Sequence, residues 1–503
     1  MIFLFSAYLI SDFIIHEMYL SFIQFHLLFI HTYTGGTNIM EISLKTKNTS
    51  QIADRTTGAI LTPLIAFSVP IMLTNILQLL FNAADIIVVG QFADANAVAA
   101  VGATTVIINL LINLFSGIAI GATVVLSTEI GLKRSDTSTT VHTTYALGII
   151  FGIVSALIGI FIAKPLLHLL GTPDEILGQA SLYLMIYFLG QPGFMIYTFA
   201  RAILISTGET KAPLIYLTIS GMVNVVLNLL LVIVFHLDVA GVAIATIISQ
   251  LISAILITRK LHKMKGDFHL SFSQICLKRN KVKRILQLGV PSGLQNSVFN
   301  LAGLTIQGSV NSLGTIVIAG NSAAQSIHSF AFQTMNAFGQ GCMTFAGQNY
   351  GARKYNRLNK IFRSALICQF TLGLCIAVLA LVAAPTLLRI YLPNAADAIA
   401  AGVVALQMML MFCFLSGMQD SASNMLRGMN LSVLPMIITI IGNCVLRVGW
   451  TLTVFPWAKA RFDTLTTFRW LMAAYPVTWA FTAAVELIIY AVVMKKLQKA
   501  QSI

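Results

Sequence analysis

Residues 60–90 read ILTPLIAFSVPIMLTNILQLLFNAADIIVVG, a run in which Asp85 is the single charged side chain. At about 1.5 Å of rise per residue, a helix of this length exceeds the roughly 30 Å hydrocarbon core of a bilayer. The stretch therefore predicts a membrane-spanning helix with one acid inside it. Similar stretches recur along the chain and determine its fold class.

The composition of the whole chain agrees with a lipid environment. Hydrophobic residues make up 57% of the 503 residues and charged residues 10%, against roughly 25% charged in a soluble domain. Apolar stretches long enough to cross a bilayer recur twelve times after residue 55, which predicts an all-α polytopic membrane protein. The predicted spans are 60–90, 98–126, 143–163, 176–206, 213–235, 239–258, 285–310, 316–347, 361–384, 397–427, 432–456 and 470–494.

The basic residues predict how these spans are oriented. If the segment before residue 60 is cytoplasmic, 24 of the 31 Lys and Arg residues fall on the inner side, five fall in outer loops, and Arg201 and Arg447 lie within spans. This asymmetry follows the positive-inside rule, so both ends of the twelve-helix unit are expected in the cytoplasm. The net charge of +14 is thereby explained without a nucleic-acid partner, because the basic residues cluster in short loops.

The beginning of the chain does not fit the twelve-span pattern. Residues 1–31 are apolar but contain Asp12 and Glu17, and no Lys or Arg occurs before Lys45. A signal peptide would need a basic segment there. Two interpretations remain, an additional helix that starts outside or upstream sequence ahead of a start at Met40, and we favour the second. We treat 1–55 as an N-terminal extension and cytoplasmic lead-in.

The chain divides into two similar halves around its longest basic link. Val69-Pro70 near the start of the first span matches Val290-Pro291 in the seventh, and the run Asn224–Asn228 parallels Asn443–Arg447. Both halves start on the same side, so the repeat is parallel, and such two-lobed transporters hold substrate between lobes that rock against each other. The predicted parts are an N-lobe (56–258), a basic linker (259–284), a C-lobe (285–494) and a cytoplasmic tail (495–503).

Enzymatic functions are not indicated. The glycine-rich run 347–354 lacks the spacing and the Lys-Ser/Thr pair of a phosphate-binding loop, and neither an HExxH nor a GxSxG motif is present. The sequence predicts a protein that is not an enzyme and holds no cofactor. Its energy would come from an ion gradient, or it would be a passive flippase.

Four polar residues within the N-lobe spans form the first candidate site. Asp85, Asn224, Asn228 and Thr246 are expected at a similar depth from the outer ends of their spans. Asn224 and Asn228 share one helix face because they are four residues apart. A carboxylate, two amide oxygens and a hydroxyl suit a small hard cation or a shared proton. A structural polar cluster that holds the helices together is the alternative, and spacing alone does not decide.

Charged residues within the C-lobe spans form a second candidate set. Asp420, Arg447 and Glu486 are predicted inside their spans, where a charge is costly and is a functional candidate. They would titrate a proton or attract substrate, or else form a buried charge network that fixes helix packing, which we favour. Arg201 lies near the inner end of the fourth span, where it would reach the cytoplasm or line a cavity.

Ordered sequence motifs resemble those of the MATE (multidrug and toxic compound extrusion) family over some 430 residues. The matching stretches are Phe81–Gly90, Ala99–Gly102, Thr207–Pro213, Gly241–Thr246, Leu426–Gly428 and Tyr475–Trp479. The resemblance implies twelve helices in two pseudo-symmetric six-helix lobes around a V-shaped cavity. It also implies exchange of Na⁺ or H⁺ for organic cations, with the coupling cation at Asp85, Asn224, Asn228 and Thr246.

The sequence departs from relatives that carry Asp where Asn228 stands, so Asp85 is the only carboxylate of the implied site, which favours H⁺ over Na⁺. We expect a monomeric exporter of small organic cations in the plasma membrane. The alternative is a flippase for a lipid-linked saccharide or cell-wall precursor. Such a protein would need several arginines in its cavity, and the spans contain Arg201 and Arg447 only.

Overall fold

The computed structural model describes residues 54–92, 95–134, 136–169, 171–393 and 395–501. All regular structure in these residues is helical. The candidate additional span in residues 1–31 and the start at Met40 lie outside the described residues. The helices are numbered α1–α12, and each number covers the pieces of one membrane crossing.

The N-lobe contains six crossings. They are α1 (Leu61–Phe92), α2 (Ala95–Leu132), α3 (Thr137–Leu169), α4 (Asp174–Leu189 and Gln191–Thr207), α5 (Lys211–Leu229, continued by the π-helical turns Leu230–Val234) and α6 (Asp238–Lys263). Two short 3₁₀ turns, Gly266–Phe268 and Phe272–Gln274, lie in the link to the second lobe.

The C-lobe repeats this arrangement. Its crossings are α7 (Arg279–Asn311), α8 (Thr315–Gly351), α9 (Tyr355–Tyr391), α10 (Ala396–Leu410 and Cys413–Gly428), α11 (Val433–Thr439, π-helical Ile440–Val445 and Leu446–Lys459) and α12 (Thr464–Met472 and Ala474–Gln501). Every predicted span overlaps one of the twelve helices, and most helices extend several residues further. The expected all-α fold with twelve helices in two six-helix lobes is confirmed.

Irregular segments recur at corresponding places in the two lobes. The two pieces of α4 meet at a bend of 45°, and the two pieces of α10 meet at a bend of 40°. Both α5 and α11 contain a π-helical segment, a feature that often marks functional positions in helices. The same departures from regular helix in the fourth and fifth crossings of each lobe support the pseudo-symmetry that the sequence repeat predicts.

Two of the twelve helices are less apolar than the others. Ten crossings are long and apolar enough to span a membrane by composition, counting each bent pair once, and α7 and α8 are the remaining two. Both helices pack against the N-lobe, where small and polar residues replace the bulky apolar ones that face lipid. Their polarity therefore reflects a position between the lobes.

The lobes approach each other closely at one end of the bundle. We call it the basic end, because it carries residues 133–134, 259–284, 353–363 and 495–499 with most of the lysines and arginines. A Cβ added to Gly117 of α2 would lie 2.1 Å from the backbone of Gly293 in α7, and one at Gly351 of α8 would lie 2.1 Å from Thr128 in α2. These glycines allow helix backbones to touch across the lobe boundary.

The opposite ends of the same helices lack such contacts. A Cβ added to Gly102 of α2 or to Gly303 or Gly308 of α7 would meet no described atom within 4 Å. The close glycine contacts between the lobes therefore lie in the middle of the bundle and toward the basic end.

Candidate functional site

The N-lobe cluster joins α1 to α5 through an acid and two amides. The side-chain amide of Asn228 donates a hydrogen bond to the carboxylate of Asp85, and a second one to Asn224 Oδ1 at 3.3 Å. Asn228 is 0% exposed and Asn224 is buried, whereas Asp85 is only half-buried. Three of the four residues singled out by the sequence are therefore in direct contact.

The fourth residue, Thr246, uses its hydroxyl on its own helix. Its Oγ1 donates to the carbonyl of Val242 at 2.9 Å, so the structure does not bring it into the hydrogen bonds around Asp85. While it donates this hydrogen bond, the Thr246 hydroxyl oxygen still has lone pairs with which it can accept one. Thr246 remains on the same lobe without a described bond to the acid.

Local geometry explains how the cluster forms. Asn224 and Asn228 lie one turn apart on α5, just before its π-helical segment, so both amides project from one face. Asp85 is seven residues before the end of α1, about 10 Å from that end at 1.5 Å per residue. The acid is thus placed in the half of α1 that lies away from the basic end.

The cluster contains an acceptor that its neighbours leave unused. Asn228 Oδ1 is buried without a hydrogen-bond partner. Tyr183 and Tyr187 of α4, whose rings stack at 6.1 Å, also interact electrostatically with Asp85. One carboxylate and a free amide oxygen can take up a proton or a small cation. The sequence reasoning missed the two tyrosines, although their spacing of four residues could have indicated a shared helix face.

A second polar cluster lies inside the C-lobe. Glu486 of α12 is 0% exposed and accepts hydrogen bonds from Ser423 Oγ at 2.6 Å and Thr439 Oγ1 at 3.3 Å. Asp420 of α10 accepts from Asn424 Nδ2 at 3.0 Å. Space for this acid comes from Gly339 on α8, because a Cβ there would lie 1.9 Å from the Asp420 carboxylate.

The cation of this cluster is Arg427, which corrects the sequence prediction. The sequence analysis counted Arg427, the last residue of the predicted tenth span, with the basic residues of the inner side, but the last turn of α10 buries it. It donates to Gln295 Oε1 at 2.7 Å and to Asn424 Oδ1 at 3.2 Å. Asn424 in turn donates to Asp420, and Gln295 donates to Thr439, which donates to Glu486. The spacing 420, 424 and 427 places these residues on one helix face, a signal that could have identified Arg427.

Arg447, the predicted member of that network, lies elsewhere. Its Nη2 donates to Thr478 Oγ1 at 3.1 Å, and its guanidinium lies over the Tyr475 ring at 4.5 Å. Among the described residues, Arg447 forms no ion pair within 4.0 Å with Asp420 or Glu486. The predicted grouping of Arg447 with the two acids is therefore wrong. A rise of 1.5 Å per residue gives depth along a helix, but it does not give the face on which a side chain lies.

Arg201 takes part in a contact that spans the lobes. Its Nη2 donates to Asn75 Oδ1 of α1 at 3.4 Å, and Asn75 Nδ2 donates to the carbonyl of Gln333 in α8 at 3.4 Å. Arg201 is half-buried. Its guanidinium is thus directed toward the boundary between the lobes rather than along α4 to the basic end.

Ion pairs close the basic end. Lys281, in the first turn of α7, contacts Glu129 of α2 at 2.7 Å and Asp136 of the following loop at 2.7 Å. The hydrogen bond from Lys281 holds the pKa of Asp136 below its ordinary value. Both ion pairs join the N-lobe to the C-lobe.

Two similar six-helix lobes that contain buried polar clusters are typical of multi-pass membrane transporters. Comparison with known proteins identifies the family. A family model described as MatE matches residues 70–230 and again residues 291–452, once in each lobe. The chain belongs to the MATE family of multidrug efflux transporters and is not an enzyme.

Individual relatives support this assignment. The probable multidrug resistance protein YpnP of Bacillus subtilis is 30% identical over 412 residues, which cover 80% of this chain and 90% of that protein. The multidrug export protein MepA of Staphylococcus saprophyticus is 24% identical over 319 residues, covering 61% of this chain and 70% of that protein.

A solved structure has the same fold. The outward-facing conformation of a multidrug resistance MATE family transporter of the MOP superfamily superposes with a TM-score of 0.82. It is 20% identical, and the match covers 90% of this chain and 100% of that one.

Proposed function

We propose that this protein exports small organic, mainly cationic compounds by alternating access, in exchange for H⁺ or Na⁺ bound at Asp85. The observation that carries the proposal is the half-buried carboxylate of Asp85 held by the neutral amide of Asn228, beside the unused Asn228 Oδ1. Because the neighbouring group is neutral, Asp85 can bind a cation or a proton without first breaking an ion pair. The names of the relatives support export of drugs.

The direction of transport follows from the orientation that we propose. By the positive-inside rule, the basic end faces the cytoplasm. The membrane that we propose is the plasma membrane, because export must cross it. Asp85 then lies in the outer half of the N-lobe, and its carboxylate is only half-buried, so a coupling ion can reach it from outside. Closing the outer ends and separating the basic ends would expose the site inward, release the ion and admit the substrate from the cytoplasm.

The coupling ion is expected to be H⁺. Asp85 is the only acid in its cluster, and Na⁺ sites usually collect more oxygen ligands and charge than one carboxylate and two amides supply. A carboxylate that exchanges one proton needs no further ligand. No further cofactor is needed, and a monomer contains both lobes and both polar clusters.

The experiment measures uptake of a fluorescent cationic dye into inverted membrane vesicles, with a pH gradient and a Na⁺ gradient imposed separately. We expect uptake driven by the pH gradient at equal Na⁺ on both sides. Uptake driven by Na⁺ alone would assign the other ion. Movement of a labelled lipid-linked saccharide without movement of any dye would contradict export of organic cations and favour the flippase alternative.

A further inference from the structure

The position that corresponds to Asn228 in the second lobe carries a cation. The run Asn224–Asn228 on α5 parallels Asn443–Arg447 on α11, and each run lies beside or within a π-helical segment of its helix. In the N-lobe this position faces the acid Asp85. In the C-lobe the amide is replaced by a guanidinium, so the two lobes carry related polar sites of opposite charge.

Arg447 is buried without a counter-charge among the described residues. Arg447 is 1% exposed, and its Nε has no hydrogen-bond partner. The ion pairs found among the described residues involve Lys281 and not Arg447. The contacts of its guanidinium are the Thr478 hydroxyl at 3.1 Å and the rings of Tyr475 at 4.5 Å and Phe299 at 5.4 Å.

Arg427 shows what a compensated arginine in the same lobe looks like. It is also buried, but it donates to the amide oxygens of Gln295 and Asn424, and these two side chains connect it by hydrogen bonds to Asp420 and, through Thr439, to Glu486. Burying an ion costs several kcal/mol, and that cost is offset only when charge and hydrogen bonds are both supplied. Aromatic faces contribute about 2 kcal/mol to a desolvated cation, so Arg447 lacks the compensation that Arg427 has.

The side chains around Arg447 form a ring-lined wall toward the lobe boundary. Phe299 of α7 lies over the guanidinium, and Phe299 stacks with Phe332 of α8 at 6.5 Å. His328 stacks on Trp479 at 6.0 Å with the planes 12° apart. Phe299, His328 and Phe332 are half-buried, and they lie on the two C-lobe helices that pack against the N-lobe. The guanidinium of Arg447 is therefore covered by rings of α7 and α12, and a ring of α8 continues this layer.

These features suit one kind of ligand group. A guanidinium binds a carboxylate with two parallel hydrogen bonds, and Nε, the free donor of Arg447, is one edge of that fork. Stacked rings beside the cation favour a flat aromatic body attached to the acid. A compact phosphate would gain nothing from the rings.

We propose that Arg447, with Thr478, Tyr475 and Phe299, binds the carboxylate of an aromatic substrate, so that the protein accepts zwitterionic and acidic aromatic compounds. This inference rests on the proposed export function and names its substrate class. The lobes then have separate tasks: the N-lobe acid takes the coupling cation, and the C-lobe arginine takes the acid group of the substrate.

A matched pair of dyes tests the inference by binding alone. The probes are a rhodamine with a free carboxylate and the methyl ester of the same dye, which differ in that one group. Fluorescence polarisation with the purified full-length protein in lipid nanodiscs gives the Kd of each dye without any ion gradient. Wild-type protein is expected to bind the acid more tightly than the ester.

The variants are Arg447→Gln and Thr478→Val, with Arg461→Gln as the control. Arg461 is exposed and lies 5.1 Å from the Trp457 ring on the loop between α11 and α12, so its loss removes one positive charge elsewhere. A hydrogen-bonded charge pair contributes about 1.5–3 kcal/mol, which converts to a Kd for the acid dye raised about 10- to 100-fold in Arg447→Gln. Thr478→Val keeps the charge, and we expect a smaller rise in the same direction. The ester should bind all variants alike.

Equal Kd values for the acid dye in wild type and Arg447→Gln would overturn the inference, as would equal weakening of the acid and the ester. Displacement of the acid dye by vesicle lipid carrying pyrophosphate, but not by benzoate, would assign the site to a lipid headgroup instead. Tight, Arg447-dependent binding of the acid dye without gradient-driven export in vesicles would contradict the proposed function and leave the binding site in place, which separates the two failures.

Discussion

The side-chain amide of Asn228 donates to the carboxylate of Asp85 although the two residues are 143 positions apart in the chain. This bond connects α1 to α5 within the N-lobe, and it leaves the second polar atom of Asn228 without a partner. The acid is held by a neutral donor, whereas Lys281 supplies the ion pairs found in the described residues. Asp85 can therefore change its charge without breaking a salt bridge.

Replacing Asn228 by Asp should move ion preference toward Na⁺. The change places a second carboxylate next to Asp85, and a unit charge at about 4 Å contributes about 4 kcal/mol at an effective dielectric of about 20. We expect Asn228→Asp to remain active and to lower the Na⁺ concentration for half-maximal export by about tenfold or more. Dye export at fixed pH over a Na⁺ series measures this. Unchanged Na⁺ dependence would argue that the two acids share a proton and that the site does not hold Na⁺.

The two buried arginines of the C-lobe should respond differently to the same substitution. Arg427→Gln removes the guanidinium that donates to Gln295 and Asn424, and should destabilise the protein by about 1.5–3 kcal/mol through the loss of charged hydrogen bonds. Arg447→Gln removes a charge that has no acidic partner, so we expect little loss or a gain of stability. The apparent Tm of the purified proteins in detergent measures both. Equal losses in the two variants would show that Arg447 has a structural counter-charge.

The glycine contact between α2 and α7 should be sensitive to a single methyl group. A Cβ at residue 117 would overlap Gly293, so Gly117→Ala should cost about 1–3 kcal/mol and lower dye export. Gly102→Ala is the matched control on the same helix, because that Cβ would meet no described atom within 4 Å, and it should stay within about 1 kcal/mol of wild type. Similar apparent Tm values for the two variants would contradict the close approach of the lobes.

Lys281 should close the basic end mainly through Glu129. Glu129 is 4% exposed, so Lys281→Ala leaves a buried acid unpaired and should cost about 3–5 kcal/mol. Asp136→Asn removes a half-exposed partner and should cost less than about 1 kcal/mol. Lys283→Ala, an exposed neighbour, is the control. The apparent Tm of each of the three variants is measured. If Lys281→Ala lowers the Tm no more than Lys283→Ala does, the stabilising role of the Lys281–Glu129 ion pair is refuted.

The pH dependence of that contact follows from Asp136. Its pKa is lowered by Lys281, so its contribution is present above the unfolded pKa of about 3.9 and disappears as the pH falls through the lower folded pKa. Between pH 5 and 8 this pair should therefore not titrate. The difference in Tm between wild type and Asp136→Asn should be constant over that range, and a change with pH would indicate a different charge state.

The sequence predicted the twelve helices because long apolar runs and the distribution of basic residues are local properties. It also indicated the repeat, since Asn224–Asn228 and Asn443–Arg447 can be compared directly. Helix periodicity placed Asn224 and Asn228 on one face, which agrees with their hydrogen bond. The helix ends were harder to predict from the sequence, because α7 and α8 continue as polar segments between the lobes.

The partners of the buried charges could not be predicted in the same way. Arg447 was grouped with Asp420 and Glu486 because all three lie within predicted spans, but the rotation of α11 directs its guanidinium to Thr478 and Tyr475. Arg427 ends the predicted tenth span and was counted with the inner-side basic residues, and only the approach of Gln295 from α7 shows that it is buried. Such contacts depend on how distant helices pack, which residue spacing does not encode.

The most direct test of the central claim is gradient-driven dye export by Asp85→Asn. Asn keeps the size and hydrogen bonding of Asp but cannot exchange a proton, so substrate binding should persist while coupling is lost. A membrane potential of about 150 mV supplies about 3.5 kcal/mol per charge, enough for a substrate gradient of roughly 300-fold. At equal expression, we predict dye binding near wild type and no export above the level of empty vesicles. Export at the wild-type rate would contradict the role of Asp85 and direct attention to Asp420 and Glu486.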